Sequence, residues 1–445
     1  MADDFLRIAL LVYRGNPHSG GQGVYTRYLS RHLVAAGHEV TVFAGQPWPV
    51  LDEGVGWVPV PSLDLYRQPD PFRLPKPGEY HSAIDVAEVA LMATAGFPEP
   101  RTFSWRVRRE LAARRGHFDV VHDNQTFGRS LLGVMADGWP LLGTCHHPIT
   151  VDRTVDLAHA SGLVEQVSKR RWYGFLGMQK RVARQMPRIL TVSESSKRDI
   201  VAQMGVAEDG LKVVPIGADH DHFRAHPEVA RVPGRIMTTA SSDVPLKGLV
   251  PLLEAVAKLR TERADAHLVV VGALRDGSPV HAVIERLGIA DAVTFATRVS
   301  DDRLVELYAE AQVAVVPSLY EGFSLPAIEA MACGVPLVAT TGGALPEVVG
   351  ASGETGLLVA PNDPGALTQA IDAVLSSPEL AGRLAVAGRR RVLQRFTWAA
   401  CARATADHYR WVIDRHRAAV VASPGPPAPA RPLGVDVGVE AAVSC

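Results

Sequence analysis

Short apolar runs rich in valine and leucine recur along the chain, separated by stretches in which apolar residues return every three or four positions. The runs are residues 7–13, 40–44, 118–122, 141–145, 188–192, 235–240, 267–271, 293–295, 313–317 and 337–340. A continuous apolar run of this length, ended by glycine or polar residues, predicts a strand buried on both faces. The intervening periodicity predicts amphipathic helices. Val24, Tyr28, Leu29, Leu33 and Ala36, for example, share one helix face, and Gly37 stops that helix. Strands alternating with helices predict parallel sheets joined by right-handed crossovers, an α/β architecture whose functional loops open at the carboxyl ends of the strands. Residues 103–115 read as an arginine-rich helix. Residues 163–186 read as one long helix with Val164, Val167, Trp172, Phe175, Leu176, Val182 and Met186 along a stripe. Residues 45–100 break the alternation with Pro47, Pro49, Pro59, Pro61, Pro69, Pro71, Pro75, Pro77, Pro98 and Pro100. A long irregular segment inside a compact domain is more often functional than idle.

The most informative stretch is residues 313–340. It reads as strand, loop, helix, turn, strand. Ser324 is placed to cap the helix, Pro326 fits its first turn, and Gly334 ends it. Glu321 lies in the loop and Glu329 about one turn into the helix. The free backbone N–H groups of Phe323, Ser324 and Leu325 lie between them, a setting that attracts an anion such as a phosphate. In the first half, Gly15, Gly20, Gly21 and Gly23 lie between the first strand and the first helix. This loop does not fit the dinucleotide GxGxxG pattern, and a tight turn at a helix start would read the same.

The run Glu321-Gly322-Phe323-Ser324-Leu325-Pro326, continued by Glu329-Ala330-Met331-Ala332-Cys333-Gly334-Val335-Pro336, closely resembles the two-glutamate signature of the retaining glycosyltransferases of family 4. The resemblance spans roughly residues 6–415. It implies the GT-B fold, two Rossmann-like domains facing across a cleft. The boundaries follow as residues 1–218 for an acceptor-side domain, 219–232 for a linker, 233–395 for a nucleotide-sugar-binding domain, 396–422 for a helix crossing back to the first domain, and 423–445 for a disordered tail. It also implies residue roles. Glu321 meets donor-sugar hydroxyls, and Gly322, Phe323, Ser324 and Leu325 offer amides to sugar and diphosphate. Glu329 holds the ribose. Gly20 and Gly21 form a paired-glycine loop in which Gly21 admits the donor phosphates. His146, at a strand end beside His147, contacts the donor sugar, and Arg298 and Val299 border the base. Lys247 matches a phosphate-binding lysine, but Ser242 stands where relatives carry an arginine. Arg275 and Arg298 are candidates to replace that arginine in space. The catalytic set expected is His146, Lys247 and Glu321. The reaction expected moves a sugar from a UDP- or GDP-sugar to a small-molecule or lipid acceptor, with retention and without a metal. Residues 45–100 would cover the acceptor side. The other readings of such a cleft are a non-catalytic nucleotide-sugar-binding protein and a GT-B nucleotide-sugar epimerase.

Composition narrows this further. At 445 residues the chain is too long for a single core and suits two domains. A net charge of −1 gives no general pull toward nucleic acid or anionic lipid, so no nucleic-acid partner is expected. Arg106, Arg108, Arg109, Arg114 and Arg115, with the basic residues of 163–186, suggest a membrane-facing surface, but a solvated charged face over a core stripe is the preferred reading. Cys145, Cys333, Cys401 and Cys445 are scattered and form no metal pattern, which suits reduced thiols in the cytoplasm. The amino terminus resembles no signal peptide, and no apolar run reaches membrane-span length. Asp219-His220-Asp221 has the look of a metal-binding Asp-x-Asp, but it falls in the linker motif, where the family has no metal.

Overall fold

The structure, a computed structural model, describes residues 5–16, 21–67, 70, 72–158, 160, 162–240, 244–275 and 277–422. Its first half runs β1 (Arg7–Val12), α1 (Gln22–Ala35), β2 (Glu39–Ala44), β3 (Gly56–Pro59), α2 (Ala83–Ala93), α3 (Glu99–Ala112), β4 (Val120–Asn124), α4 (Ser130–Ala136), β5 (Leu141–Thr144), α5 (Thr150–Ala158), α6 (Leu163–Trp172), α7 (Leu176–Ala183), β6 (Ile189–Thr191), α8 (Glu194–Met204) and β7 (Leu211–Val213). The second runs β8 (Arg235–Thr239), α9 (Leu249–Leu259), β9 (His267–Val271), α10 (Pro279–Leu287), β10 (Val293–Ala296), α11 (Asp301–Glu310), β11 (Val313–Val316), α12 (Leu325–Ala332), β12 (Leu337–Thr340), α13 (Leu345–Val349), β13 (Leu357–Val359), α14 (Pro364–Ser376), α15 (Pro378–Arg395) and α16 (Trp398–Ala422).

The strands form two sheets, ordered β3-β2-β1-β4-β5-β6-β7 and β10-β9-β8-β11-β12-β13. Every pairing is parallel. These are two Rossmann-like α/β domains. The valine-rich runs sit here because both faces of each sheet are covered by helices; β1, β4, β5, β11 and β12 are almost wholly buried. In each sheet the strand order reverses once, between β1 and β4 and between β8 and β11. The loops after those strands part there and leave a crevice at the carboxyl ends.

Two sequence expectations change. Residues 45–100 are not simply irregular. They add β3 as an edge strand beside β2, and they hold α2 and the start of α3. Pro59 is tolerated because it ends an edge strand, and Pro100 because it lies in the first turn of α3, where a missing N–H breaks no bond; Pro69 and Pro71 lie outside the described residues. The helix expected over residues 163–186 is two helices joined by a 3₁₀ turn at Tyr173–Phe175. Only its second part buries the stripe; Leu163, Val164 and Val167 are 78%, 86% and 62% exposed. Periodicity reports an apolar face but not whether a sheet extends beneath it. Arginines of the 103–115 segment are paired within the domain. Arg106 pairs with Asp85 and Glu88, Arg108 with Asp137, and Arg114 with Glu110.

Helix α16 returns to the first domain. Trp398 and Tyr409 are fully buried, and Trp398 stacks on Tyr28 of α1 with ring centroids 5.4 Å apart. Among the described residues no helix is long and apolar enough to cross a membrane. Cys145, Cys333 and Cys401 are buried free thiols; Cys445 lies outside the described residues, as does the tail of 423–445.

Candidate active site

The crevices of the two sheets face each other. A cavity of about 450 Å³ between them is lined from the first domain by Gly21, Gln22, Tyr25, Gln125, His146 and His147, and from the second by Lys247, Glu321, Gly322, Phe323, Ser324 and Leu325. A larger cavity of about 980 Å³ runs over the ends of β8, β9 and β10, past Thr239, Gly272, Arg298 and Val299. Lys247, Val244 and Pro326 line both, so the two spaces meet at Lys247. Of the two arginines suggested as replacements at position 242, Arg298 lines the larger cavity and Arg275 does not. Ser242 itself and Gly20 lie outside the described residues.

The donor-side loop is built from below. Thr340 Oγ1 at the end of β12 donates to the Ser318 carbonyl at 2.5 Å, and the Leu319 amide donates to the Leu246 carbonyl at 2.8 Å. The second bond ties the loop to the 3₁₀ turn Pro245–Lys247. That turn ends at Gly248, whose left-handed φ of 66° and contact with the Pro317 carbonyl leave no room for a side chain. Glu321 is thereby held with Oε1 accepting from Lys247 Nζ and from Ser318 Oγ, each at 2.7 Å. Glu321 is 8% exposed. In the buried setting the lysine charge and the hydroxyl together satisfy the carboxylate. The Gly342–Gly343 turn lies directly under this loop. Ala344 donates its amide to the Glu321 carbonyl at 2.9 Å. Ser324 caps α12 through the Ala327 amide and takes a left-handed φ of 94°, an uncommon conformation for a residue with a side chain.

Glu329 stands one turn along α12, only partly exposed, and lines neither cavity. Burial, reinforced by the Asp301 charge, pushes its carboxyl up to about 7. Tyr308, hydrogen-bonded to it, works in the opposite direction.

On the facing side, His146 follows β5. Its backbone amide donates to Gln125 Oε1 at 2.7 Å, and its Nε2 lies 2.8 Å from Asn124 Oδ1. Asn124 Nδ2 donates to the Gln22 carbonyl and Thr26 Oγ1, which fixes Oδ1 toward the histidine. His146 Nε2 therefore carries the proton. Burial, then the neighbouring His147, lowers its pKa to about 3, so the ring is neutral at physiological pH. Tyr25 packs edge-on against it with centroids 4.7 Å apart. His147 pairs with Asp152 at 3.0 Å while still lining the cavity. Gly21, at φ 71°, opens α1 at the cavity wall.

Sequence reading did not single out Tyr25, Gln22 or Trp398 as cavity-lining residues, Ser318 as a partner of Glu321, nor Asn124 and Gln125 as the histidine's holders. The signal for the last two was present, since Asn124 ends β4 and Gln125 follows it at the carboxyl end. The others reach the site only through packing. Asp219 spends its groups locally, accepting from the His222 amide and lying 3.6 Å from Arg31. Among the described residues no cluster of three metal-ligating side chains occurs.

Comparison with known proteins agrees with this geometry. The family described as "Glycosyl transferases group 1" matches residues 226–391, and "Glycosyltransferase Family 4" matches residues 19–222. The chain is 52% identical over 411 residues to an MMP alpha-(1->4)-mannosyltransferase of Mycolicibacterium hassiacum, covering 92% of this chain and 99% of that protein. It is 30% identical over 442 residues to D-inositol 3-phosphate glycosyltransferase 2 of Catenulispora acidiphila, covering 93% and 96%. Among solved structures, a sucrose-phosphate synthase from Thermosynechococcus elongatus superposes with a TM-score of 0.69 at 23% identity, over 92% of this chain and all of that one. This last likeness concerns the fold.

Proposed function

Since the chain belongs to the family 4 glycosyltransferases with the GT-B fold, we propose that it moves a mannosyl unit from a nucleoside diphosphate mannose to a carbohydrate acceptor, forming an α-(1→4) linkage with retention. The sugar and linkage follow the 52%-identical relative. The observation that carries the reading is the junction of two cavities at Lys247, with Glu321 beneath it and His146 opposite. In this reading the larger cavity takes the nucleotide, with the base near Arg298 and Val299, and the smaller takes the sugar and the attacking acceptor hydroxyl.

The chemistry follows from where charge develops. As the glycosidic C–O bond breaks, negative charge grows on the β-phosphate. Lys247, the amides of Phe323, Ser324 and Leu325, and Gly21 across the cleft stabilise it where water is scarce. Lys247 is engaged by Glu321 before donor arrives, so binding redistributes that pair: the ammonium turns to phosphate and Glu321 accepts from sugar hydroxyls. Glu329, which lines neither cavity, accepts from the ribose hydroxyls once the donor is bound. His146, a neutral Nε2–H donor fixed on Asn124, presents its ring to the sugar without adding a charge. The acceptor attacks from the face that the diphosphate leaves, and the leaving phosphate takes the acceptor proton. Lys247 and the helix-end amides are the charge-stabilising groups, so the reading carries no metal requirement.

The test is direct. The protein is incubated with GDP-mannose, UDP-glucose and other nucleotide sugars together with oligomannoside acceptors, with and without EDTA. Free nucleotide and a longer, α-linked product that persist in EDTA support the reading. Nucleotide binding without product, or inversion of the sugar on the unreacted donor, overturns it.

A further inference from the structure

The loop that carries Glu321 is gripped by both domains, and the first domain's grip comes from one end of one helix. Ser193 caps α8 by accepting from the Ser196 amide, and both hydroxyls then turn across the cleft. Ser193 Oγ and Ser196 Oγ donate to the Gly322 carbonyl at 2.6 and 3.1 Å. Tyr320 OH donates to Asp199, a turn further along α8, at 2.6 Å. The two remaining free amides at the start of α8, those of Glu194 and Ser195, donate to the Glu347 carboxylate at 2.7 and 2.6 Å. Glu347 belongs to the second domain, on α13. Its backbone is fixed in turn, because Arg391 donates to the Glu347 and Val348 carbonyls at 2.9 and 2.7 Å. α13 itself follows the Gly342–Gly343 turn beneath Glu321.

These bonds satisfy a helix start of one domain with a carboxylate of the other. The N–H groups and helix dipole of α8 favour a negative charge at that point. Their effect is to hold Gly322 against the histidine side: a Cβ on Gly322 would lie 3.3 Å from the His146 carbonyl oxygen and 3.2 Å from His147 Cβ. The spacing between His146 and the donor-sugar loop is therefore set by contacts outside the reacting groups. We propose that Glu347 is a positioning residue for sugar transfer: docked on α8, it holds the closed cleft in which His146 and the Glu321 loop enclose the donor sugar, and its loss admits water and loosens the acceptor's alignment. This rests on the transferase reading of the cleft.

The experiment compares the full chain with Glu347→Ala, Glu347→Gln and Ser196→Ala. Affinity for GDP and UDP is measured by calorimetry, transfer by steady-state kinetics, donor hydrolysis without acceptor by nucleotide release, and compactness by small-angle X-ray scattering with nucleotide present. Glu347→Ala is expected to bind nucleotide within about twofold of wild type, because it leaves the donor cavity intact, while kcat for transfer falls roughly tenfold to a hundredfold, as for loss of a charge-assisted hydrogen bond. The hydrolysed fraction of donor rises and the radius of gyration increases. Glu347→Gln, which keeps an acceptor oxygen, falls between. Wild-type transfer by Glu347→Ala overturns the proposal, and so does a loss of nucleotide affinity large enough to account for the loss of turnover. If Glu347→Ala fails to fold, Glu347→Gln and Ser196→Ala carry the same comparison. If the wild-type protein transfers no sugar, the transferase reading fails by itself. Scattering then decides the latch, and an unchanged radius of gyration overturns it.

Discussion

At the scale of single residues, Glu329 and Lys247 make the sharpest predictions. The Glu329 carboxyl is raised from 4.5 to about 7, chiefly by burial. Between these values the folded protein keeps a proton that the unfolded chain has released, so this group's contribution to stability is lost as pH rises through about 7. Ribose binding needs the ionised form, so donor affinity should fall as pH drops below about 7, with no second inflection from His146, whose ring stays neutral down to about 3. Titration of donor affinity from pH 5.5 to 8.5 checks this. Glu329→Gln should raise the melting temperature at pH 8, by the equivalent of about 1 kcal/mol, while abolishing the melting shift caused by donor. Lys247→Ala should weaken nucleoside diphosphate binding by about 2–3 kcal/mol, read by calorimetry. A near-neutral effect would remove Lys247 from the phosphate site.

At the scale of elements, the glycine turn under the donor loop and the helix that crosses back are the parts most exposed to test. Gly343 has a φ of 62°, and a Cβ there would collide with the Glu321 carbonyl. Gly343→Ala should therefore cost about 1–3 kcal/mol of stability. It should also weaken nucleotide-sugar binding more than nucleoside diphosphate binding, because the displaced residue serves the sugar; paired titrations separate the two. Helix α16 places Tyr409 OH 2.7 Å from His122 Nδ1, and His122 Nε2 meets Thr144 Oγ1 at the end of β5. All are fully buried or nearly so. Tyr409→Phe leaves the imidazole nitrogen unpaired and should destabilise by about 1–3 kcal/mol. Thermal melting reads this as a drop of about 2–4 °C per kcal/mol for a domain of this size. Nucleotide affinity, carried chiefly by the other domain, should change little.

At the scale of the whole molecule, two separately built switch points make one site, and this divides what was legible in the sequence from what was not. The strands, the helix cap at Ser324, the stop at Gly334 and the glutamate loop were readable because each depends on neighbours in the chain: an apolar run, a hydroxyl before a helix, a glycine after it. The return of the last helix was readable only through the family resemblance. The extent of the stripe over residues 163–186 and the edge strand Gly56–Pro59 were misread, since each depends on what lies beneath or beside it. The Lys247–Glu321 pair joins residues 74 apart, and the Glu347 carboxylate reaches an amide 153 residues away. His146 is neutral because burial and then the neighbouring His147 disfavour its charge, and the Glu329 carboxyl is raised to about 7 because burial, reinforced by the Asp301 charge, disfavours its ionised form. Local sequence chose the chemical groups and the ends of the strands that present them. Tertiary packing decided their partners, their charge and their distance across the cleft, because ion pairing and desolvation depend on proximity in space, which distance along the chain does not determine.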